Sequence, residues 1–257
     1  GWVRPTQHDL DAWEALGNPG WSYEDALPVL NRMETDEDFG DSPSHGSNGP
    51  LTVKRRFSVD GPMEPPIKAF LDRAADLGYP LKLDRNVADP AGIVPGASNV
   101  KDGIRQSTAV GYLGPARSRA NLTIIADAPV VSLAIDGARV TEVHYRQGNE
   151  TLVASADNVV LSAGVYHSPQ ILQLSGVGPV AELERLGIKL VHPLEGVGGN
   201  YQDHAAVNLV FAINFDFSPE WLVAGFQLIY KSDPSLPNGN FHIYLRAPMQ
   251  MEGLAPT

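Results

Sequence analysis

Between Asn158 and Gly176 an apolar run, Val159-Val160-Leu161, enters Ser162-Ala163-Gly164 and leaves at once in a stretch with helical spacing at Ile171, Leu172 and Leu174. A strand that meets a turn of small residues and passes directly into a helix is a building unit of layered α/β domains. The same turn exposes backbone N–H groups at a helix start, where an anion or a cofactor can approach closely. On these residues alone, a cofactor turn and a plain strand–turn–helix packing unit both remain open. Pro169 suits the first helical position, so the helix is expected to begin near Ser168, and Gly176 is its natural stop.

The rest of the chain fits around this unit. A helix is expected after Ser22, which forms a capping box with Asp25. Trp21 can staple onto Ala26, and Leu27, Leu30 and Met33 repeat at helical spacing. Residues 34–50 are acidic and rich in Gly, Ser and Pro, which reads as an exposed loop with a solvated acid run. A second helix runs from about Pro65 to Leu77, burying Ile67, Phe70, Leu71 and Ala74 and stopping at Gly78. Residues 84–101 read as loop. Strands are expected at 122–125, 130–135, 140–145, 151–153 and 158–161, with a turn at Asp136-Gly137, and a short helix at Val180–Leu186. Further strands are expected at 209–212 and 240–245. Hairpins followed by a strand and a helix make the fold class α/β and α+β.

Composition narrows the partners. Of 257 residues, 43% are hydrophobic, enough for one large domain or two small ones. The net charge is −11 and no basic stripe is present, which argues against nucleic acid and anionic membranes as partners. No apolar run is long enough to span a membrane. Cysteine is absent, so disulfides, thiolate nucleophiles and cysteine-ligated metals are excluded, and no metal site is expected. The compartment stays undecided. The sequons at Asn121 and Asn149 matter only in a secreted protein. Gly176-Val177-Gly178-Pro179-Val180-Ala181 matches a dinucleotide fingerprint, but a helix precedes it where a strand is required.

Read together, Ser162-Ala163-Gly164-Val165-Tyr166-His167-Ser168-Pro169-Gln170-Ile171-Leu172-Gln173-Leu174-Ser175-Gly176-Val177-Gly178-Pro179 resembles the second signature of the glucose–methanol–choline (GMC) oxidoreductases. Gly196-Val197-Gly198-Gly199-Asn200-Tyr201-Gln202-Asp203-His204 resembles that family's G-V-G-x-N-L-Q-D-H block. Arg105-Gln106-Ser107-Thr108, Pro115-Ala116-Arg117, Asp11-Ala12-Trp13-Glu14 and Gly17 to Tyr23 resemble further family segments in the right order. The departures are Val165, His167 and Tyr201, and Tyr201 adds bulk near the family's flavin.

The resemblance implies an FAD enzyme oxidising an alcohol. Ser162, Ala163, Gly164 and Ser168, with the backbone of Val130, would belong to the cofactor site along the adenosine half. Asn200, Gln202, Asp203 and His204 would stand near the flavin ring. On the residues alone, Val130 is an ordinary buried strand valine and His204 a hydrogen-bonded structural histidine. His242 and Tyr244 resemble a strand over the flavin on the substrate side, although a strand-surface histidine is the commoner use of such a residue. Val223 stands where choline-oxidising members carry a Glu, which favours an uncharged alcohol. Residues 1–204 are expected to be mostly FAD-binding domain, with 36–104 packing against the substrate domain and 205–257 beginning it. The glycine-rich pyrophosphate loop and the catalytic histidine pair find no match here, so no catalytic base is expected in this chain. The missing parts are expected on other chains or beyond Thr257. A hydroxynitrile-lyase-like enzyme and a non-catalytic assembly partner are the competing readings.

Overall fold

The computed structural model of the 257-residue protein describes residues 1–55, 63–210 and 225–245. The chain divides into two compact units, one drawn from residues 1–122 and 211–257 and the other from residues 123–210. Helices occur with both parallel and antiparallel strands, the α/β and α+β mixture expected from the sequence.

The first unit opens with a helix that the hydrophobic spacing does not announce, Gln7–Ala15. Thr6 Oγ1 accepts the Asp9 N–H, and the Asp9 carboxylate accepts the Thr6 N–H, a closed capping box. In the next helix, Tyr23–Met33, Ser22 accepts the Asp25 N–H, while its own hydroxyl donates to the Asp25 carboxylate. Trp21 lies edge-on to Trp13, with ring centroids 5.4 Å apart. The helix Pro65–Asp76 forms as the apolar spacing predicts, and Gly78 leaves it at φ +84°. Its Ile67 and Ala74 pack with Ile93, Phe226 and Leu228 in one cluster. Burying each of the larger side chains there stabilises the fold by roughly 1.5–3 kcal/mol.

Two of the expected loops are structured. Within 84–101, Gly92–Pro95 is a wholly buried strand of a sheet ordered Phe241–Tyr244, Phe226–Tyr230, Gly92–Pro95, all antiparallel. Pro95 sits at the end of an edge strand, where its missing N–H costs no ladder bond on the open side. A Gly and a Pro around two apolar residues read as a turn, and the strand forms by pairing with the distant Phe226–Ile229, while Ile93 also bonds to Pro80 and Lys82.

The exposed acid loop expected over 34–50 is also corrected. Glu34–Asp36 is a strand parallel to Leu51–Arg55, which in turn pairs with Ala97–Ser98. The side chains of Glu34 and Asp36 are fully buried, and His45 is buried with them. Arg4 Nη2 reaches Glu34 at 2.6 Å, and the Arg55 guanidinium bridges Asp36 and Asp84. His45 Nδ1 lies 2.8 Å from Glu34 and 3.0 Å from Asp36, and its Nε2 lies 2.6 Å from Asp84. Both ring nitrogens face carboxylates, so both must donate, which only the imidazolium does. Three carboxylates thus meet three cations, and the buried charge balances. Burial alone would lower the His45 pKa, but hydrogen bonds to Asp36, Asp84 and Glu34 raise it to about 10.

The second unit holds the antiparallel meander Val130–Asp136, Arg139–Gln147 and Glu150–Ala154, with Gly137 at φ +56° in its first turn. The helices Gly164–Leu174 and Val180–Arg185 follow. Val177–Gly178 pairs in parallel with His192–Pro193. Residues 122–125 and 158–161 form no strand among the described residues, and Val160 is 86% exposed. Apolarity states that a segment needs covering, but a strand also needs a neighbouring backbone. Residues 209–210 are likewise without a ladder, and 211–212 lie outside the described residues.

Because the folded His45 pKa lies above its ordinary 6.5, its stabilisation is complete below that value and is lost as pH rises through about 10. The urea midpoint of the wild type should fall over that window, while His45→Gln should be weaker throughout and flat across it. Arg55→Met should cost about 3–5 kcal/mol, measured by the same denaturation, because it leaves Asp36 and Asp84 without their guanidinium.

Candidate functional site

The expected cofactor turn is built at the start of the helix Gly164–Leu174. The helix begins at Gly164, not near Ser168, and Pro169 falls within its second turn. The reason is local: Gly164 takes φ +85°, a conformation open to glycine, and Ser168 folds back so that its Oγ accepts the Ala163 N–H at 3.1 Å. No side chain caps the remaining first-turn N–H groups. A Cβ placed on Gly164 would meet nothing within 4 Å, and Ser162, Ala163 and Gly164 are all exposed. Free donors, a bare glycine and open space make this turn chemically suited to a phosphate-bearing or polar ligand approaching along the backbone.

Val130 begins the strand Val130–Asp136, which packs on this helix. Ser175, just past the helix end, locks the two together, its Oγ accepting the Leu133 N–H at 2.7 Å and donating to the Ile171 carbonyl at 2.6 Å. Asn200, Gln202, Asp203 and His204 form an exposed block without regular structure, with Asn200 at φ +55°. The block is tied to the same helix by Gln173 Nε2, which donates to the Val197 carbonyl at 3.0 Å. The Tyr166 and Tyr201 hydroxyls also meet, at 2.8 Å. Hydrogen bonds to Tyr166 and Asp203 hold the Tyr201 phenol above its ordinary pKa, and the His204 N–H holds the Asp203 carboxylate below its own.

The second unit therefore gathers the helix-start residues and the 196–204 block on one helix. The other candidates belong to the first unit. His242 and Tyr244 share a face of the exposed strand Phe241–Tyr244, opposite Ile229 and Gln227 in register. Val223 lies outside the described residues. Tyr166, Gln173 and Ser175 stand in the sequence only as members of the quoted signature, and Tyr201 only as a bulky departure; the Tyr166–Tyr201 contact is not legible there, because the two stand 35 positions apart.

Two other groupings are explained without a ligand. Glu34, Asp36 and His45 present ligand atoms within 4.8 Å of one another. Their charge is already met by Arg4 and Arg55, and a further cation would face two guanidinium groups. At Gly176, where the dinucleotide fingerprint begins, an added Cβ would lie 2.4 Å from the Lys189 carbonyl, so the chain itself fills that approach. Among the described residues no helix is long and apolar enough to cross a membrane.

A side chain on Gly164 finds room but not a permitted backbone, so Gly164→Val should cost about 1–2 kcal/mol from φ alone, measured by chemical denaturation.

The sequence pattern of GMC oxidoreductase matches residues 1–206. The oxygen-dependent choline dehydrogenase of Serratia proteamaculans is 41% identical over 216 residues, covering 82% of this chain and 38% of that protein. The same enzyme of Ectopseudomonas mendocina is 39% identical over 216 residues, with the same coverage. The chain thus spans 38% of the length of these curated relatives. Among solved structures, pyridoxine 4-oxidase from Mesorbium loti superposes with a TM-score of 0.70 at 30% identity, over 76% of this chain and 38% of that one. An FAD-dependent oxidoreductase from Chaetomium thermophilum gives 0.68 at 27% identity, over 76% and 36%. With four-fifths of its residues matched in one pattern, including both segments that meet on the helix Gly164–Leu174, the chain belongs to the GMC oxidoreductase family.

Proposed function

We propose that this chain supplies much of the FAD site of an enzyme that oxidises an alcohol. The observation that carries the reading is the pairing, on one helix, of the open glycine turn with the Asn200–His204 block, inside a region that matches the GMC family. Ser162, Ala163, Gly164 and Ser168, with the Val130 backbone, hold the adenosine half. Asn200, Gln202, Asp203 and His204 stand at the ring. The absent Cβ and the uncapped N–H groups of the turn fit such a ligand.

When bound, the flavin supplies the acceptor for the hydride leaving the alcohol carbon. This chain's residues bind and orient it: the turn offers backbone donors, and the Asp203 carboxylate fixes the His204 backbone through a 2.7 Å hydrogen bond. His242 and Tyr244 are assigned to the substrate side. The base that takes the hydroxyl proton, and the loop for the pyrophosphate, come from outside these 257 residues. The strands Gly92–Pro95 and Phe226–Tyr230 share one sheet, which supports grouping much of 36–104 with the segment after 204 as the substrate part.

Two substrate readings differ in one charge. Val223 gives a quaternary ammonium no anionic partner, which favours an uncharged alcohol. The identity to choline dehydrogenases favours choline. Anaerobic mixing of the complete FAD-loaded enzyme with each alcohol decides between them. Bleaching of the flavin absorbance by an uncharged primary alcohol, with choline slow, supports the first reading, and the reverse supports the second. No bleaching by either class ends the alcohol reading. On the first reading, Val223→Glu should lower the KM for choline several-fold.

A further inference from the structure

Three contacts step along one face of the helix Gly164–Leu174. Gln173 donates to the Val197 carbonyl, and a Cβ on Gly198 would lie 2.7 Å from Gln173 Nε2 and 3.8 Å from Pro169 Cβ. Tyr166 meets Tyr201 through both hydroxyl and ring, the centroids 5.4 Å apart and the planes at 30°. Positions 166, 169 and 173 are one helical stripe, so the block runs antiparallel to the helix as it descends from 197 to 201. The inner end is fixed by packing, and the outer end rests on the tyrosines.

The direction of that outer bond follows from proton counting. Tyr201 Oη lies 3.0 Å from Asp203 Oδ2 and has one proton, which goes to the carboxylate because Asp203 there can only accept. Tyr166 must therefore donate to Tyr201. Asp203 Oδ1 accepts the His204 N–H at 2.7 Å. The chain of bonds runs from the first turn of the helix, through two phenols and a carboxylate, to the backbone of His204. Asn200, in the left-handed region, is held between the Val197 and Tyr201 anchors. Both residues are more than half exposed, 66% and 51%, so the pair is not a core element whose loss would unfold the unit.

We infer that Tyr201 is a positioning residue whose hydroxyl, held between Tyr166 and Asp203, latches the Asn200–His204 block to the helix and so sets where Asn200 and His204 stand against the flavin, an assignment that rests on the flavin reading above. Tyr201→Phe keeps the ring and removes the node from both bonds. Tyr166→Phe removes only the donor from the helix and leaves the Tyr201–Asp203 bond.

The experiment uses the complete polypeptide, wild type and both variants, with unchanged melting as the check on folding. Amide hydrogen exchange over 196–204 is measured without and then with FAD, followed by FAD affinity and the visible flavin spectrum. The latch predicts faster exchange over 200–204 in both variants, FAD binding weaker by about fivefold or more in Tyr201→Phe, the neutral bond to Tyr166 alone being worth that factor, and shifted flavin bands. Unchanged exchange in both variants overturns the latch, whatever the cofactor does. Altered exchange with wild-type affinity and spectrum overturns its role toward the flavin while leaving the flavin reading in place. A wild type that binds FAD with no protection of 196–204 overturns the placement of the flavin, and the inference with it.

Discussion

The first unit depends on a charge balance that closes inside the protein. The Glu34 and Asp36 side chains are fully buried and that of Asp84 nearly so, and an unpaired carboxylate at such depth costs several kcal/mol. Arg4, Arg55 and the His45 imidazolium answer them one for one, and each cation comes from a different stretch of chain. The N-terminal segment, the strand Leu51–Arg55, the loop at 45 and the turn at 84–86 therefore have to converge. Asn31 adds its side-chain oxygen to Arg4, and Asn86 accepts the Arg4 N–H, so the same point fastens the end of the helix Tyr23–Met33. Arg55 also lies over the Phe39 ring at 4.6 Å, which closes the network from the side of the loop.

The second unit is organised differently, by one helix used on more than one side. Ser175 at its end holds the meander through Leu133, while the stripe of Tyr166, Pro169 and Gln173 carries the 196–204 block. The helix start is left uncapped and bare. A scaffold packed around an uncapped helix terminus is what a ligand-holding turn requires, because the donors are then placed before the ligand arrives. Membership of the GMC family and the geometry of this helix support the same functional reading from independent directions.

Some of this was legible residue by residue. The helix Pro65–Asp76 follows from Ile67, Phe70, Leu71 and Ala74, and the meander from alternating apolar residues closed by Asp136-Gly137. Thr6 and Asp9 spell a capping box as clearly as Ser22 and Asp25 do, yet the helix behind them lacks a strong apolar stripe and so is easily passed over. The acid run at 34–50 misleads because composition records charge and not its partner. Three of its groups are buried only because Arg4, Arg55 and Asp84 lie elsewhere in the chain.

The sequence by itself determined the local events: which segments turn, where Gly78, Gly137 and Gly164 allow a positive φ, and, through ordered motifs, the family. These depend on interactions within a few residues, which a linear pattern records. Only the tertiary structure decided the rest: that Gly92–Pro95 is a strand, that His45 is a buried cation, and that Tyr166 reaches Tyr201. Each of those needs a partner tens of residues away or more, and a chain read in one dimension shows that a group is polar or apolar without showing what will stand beside it.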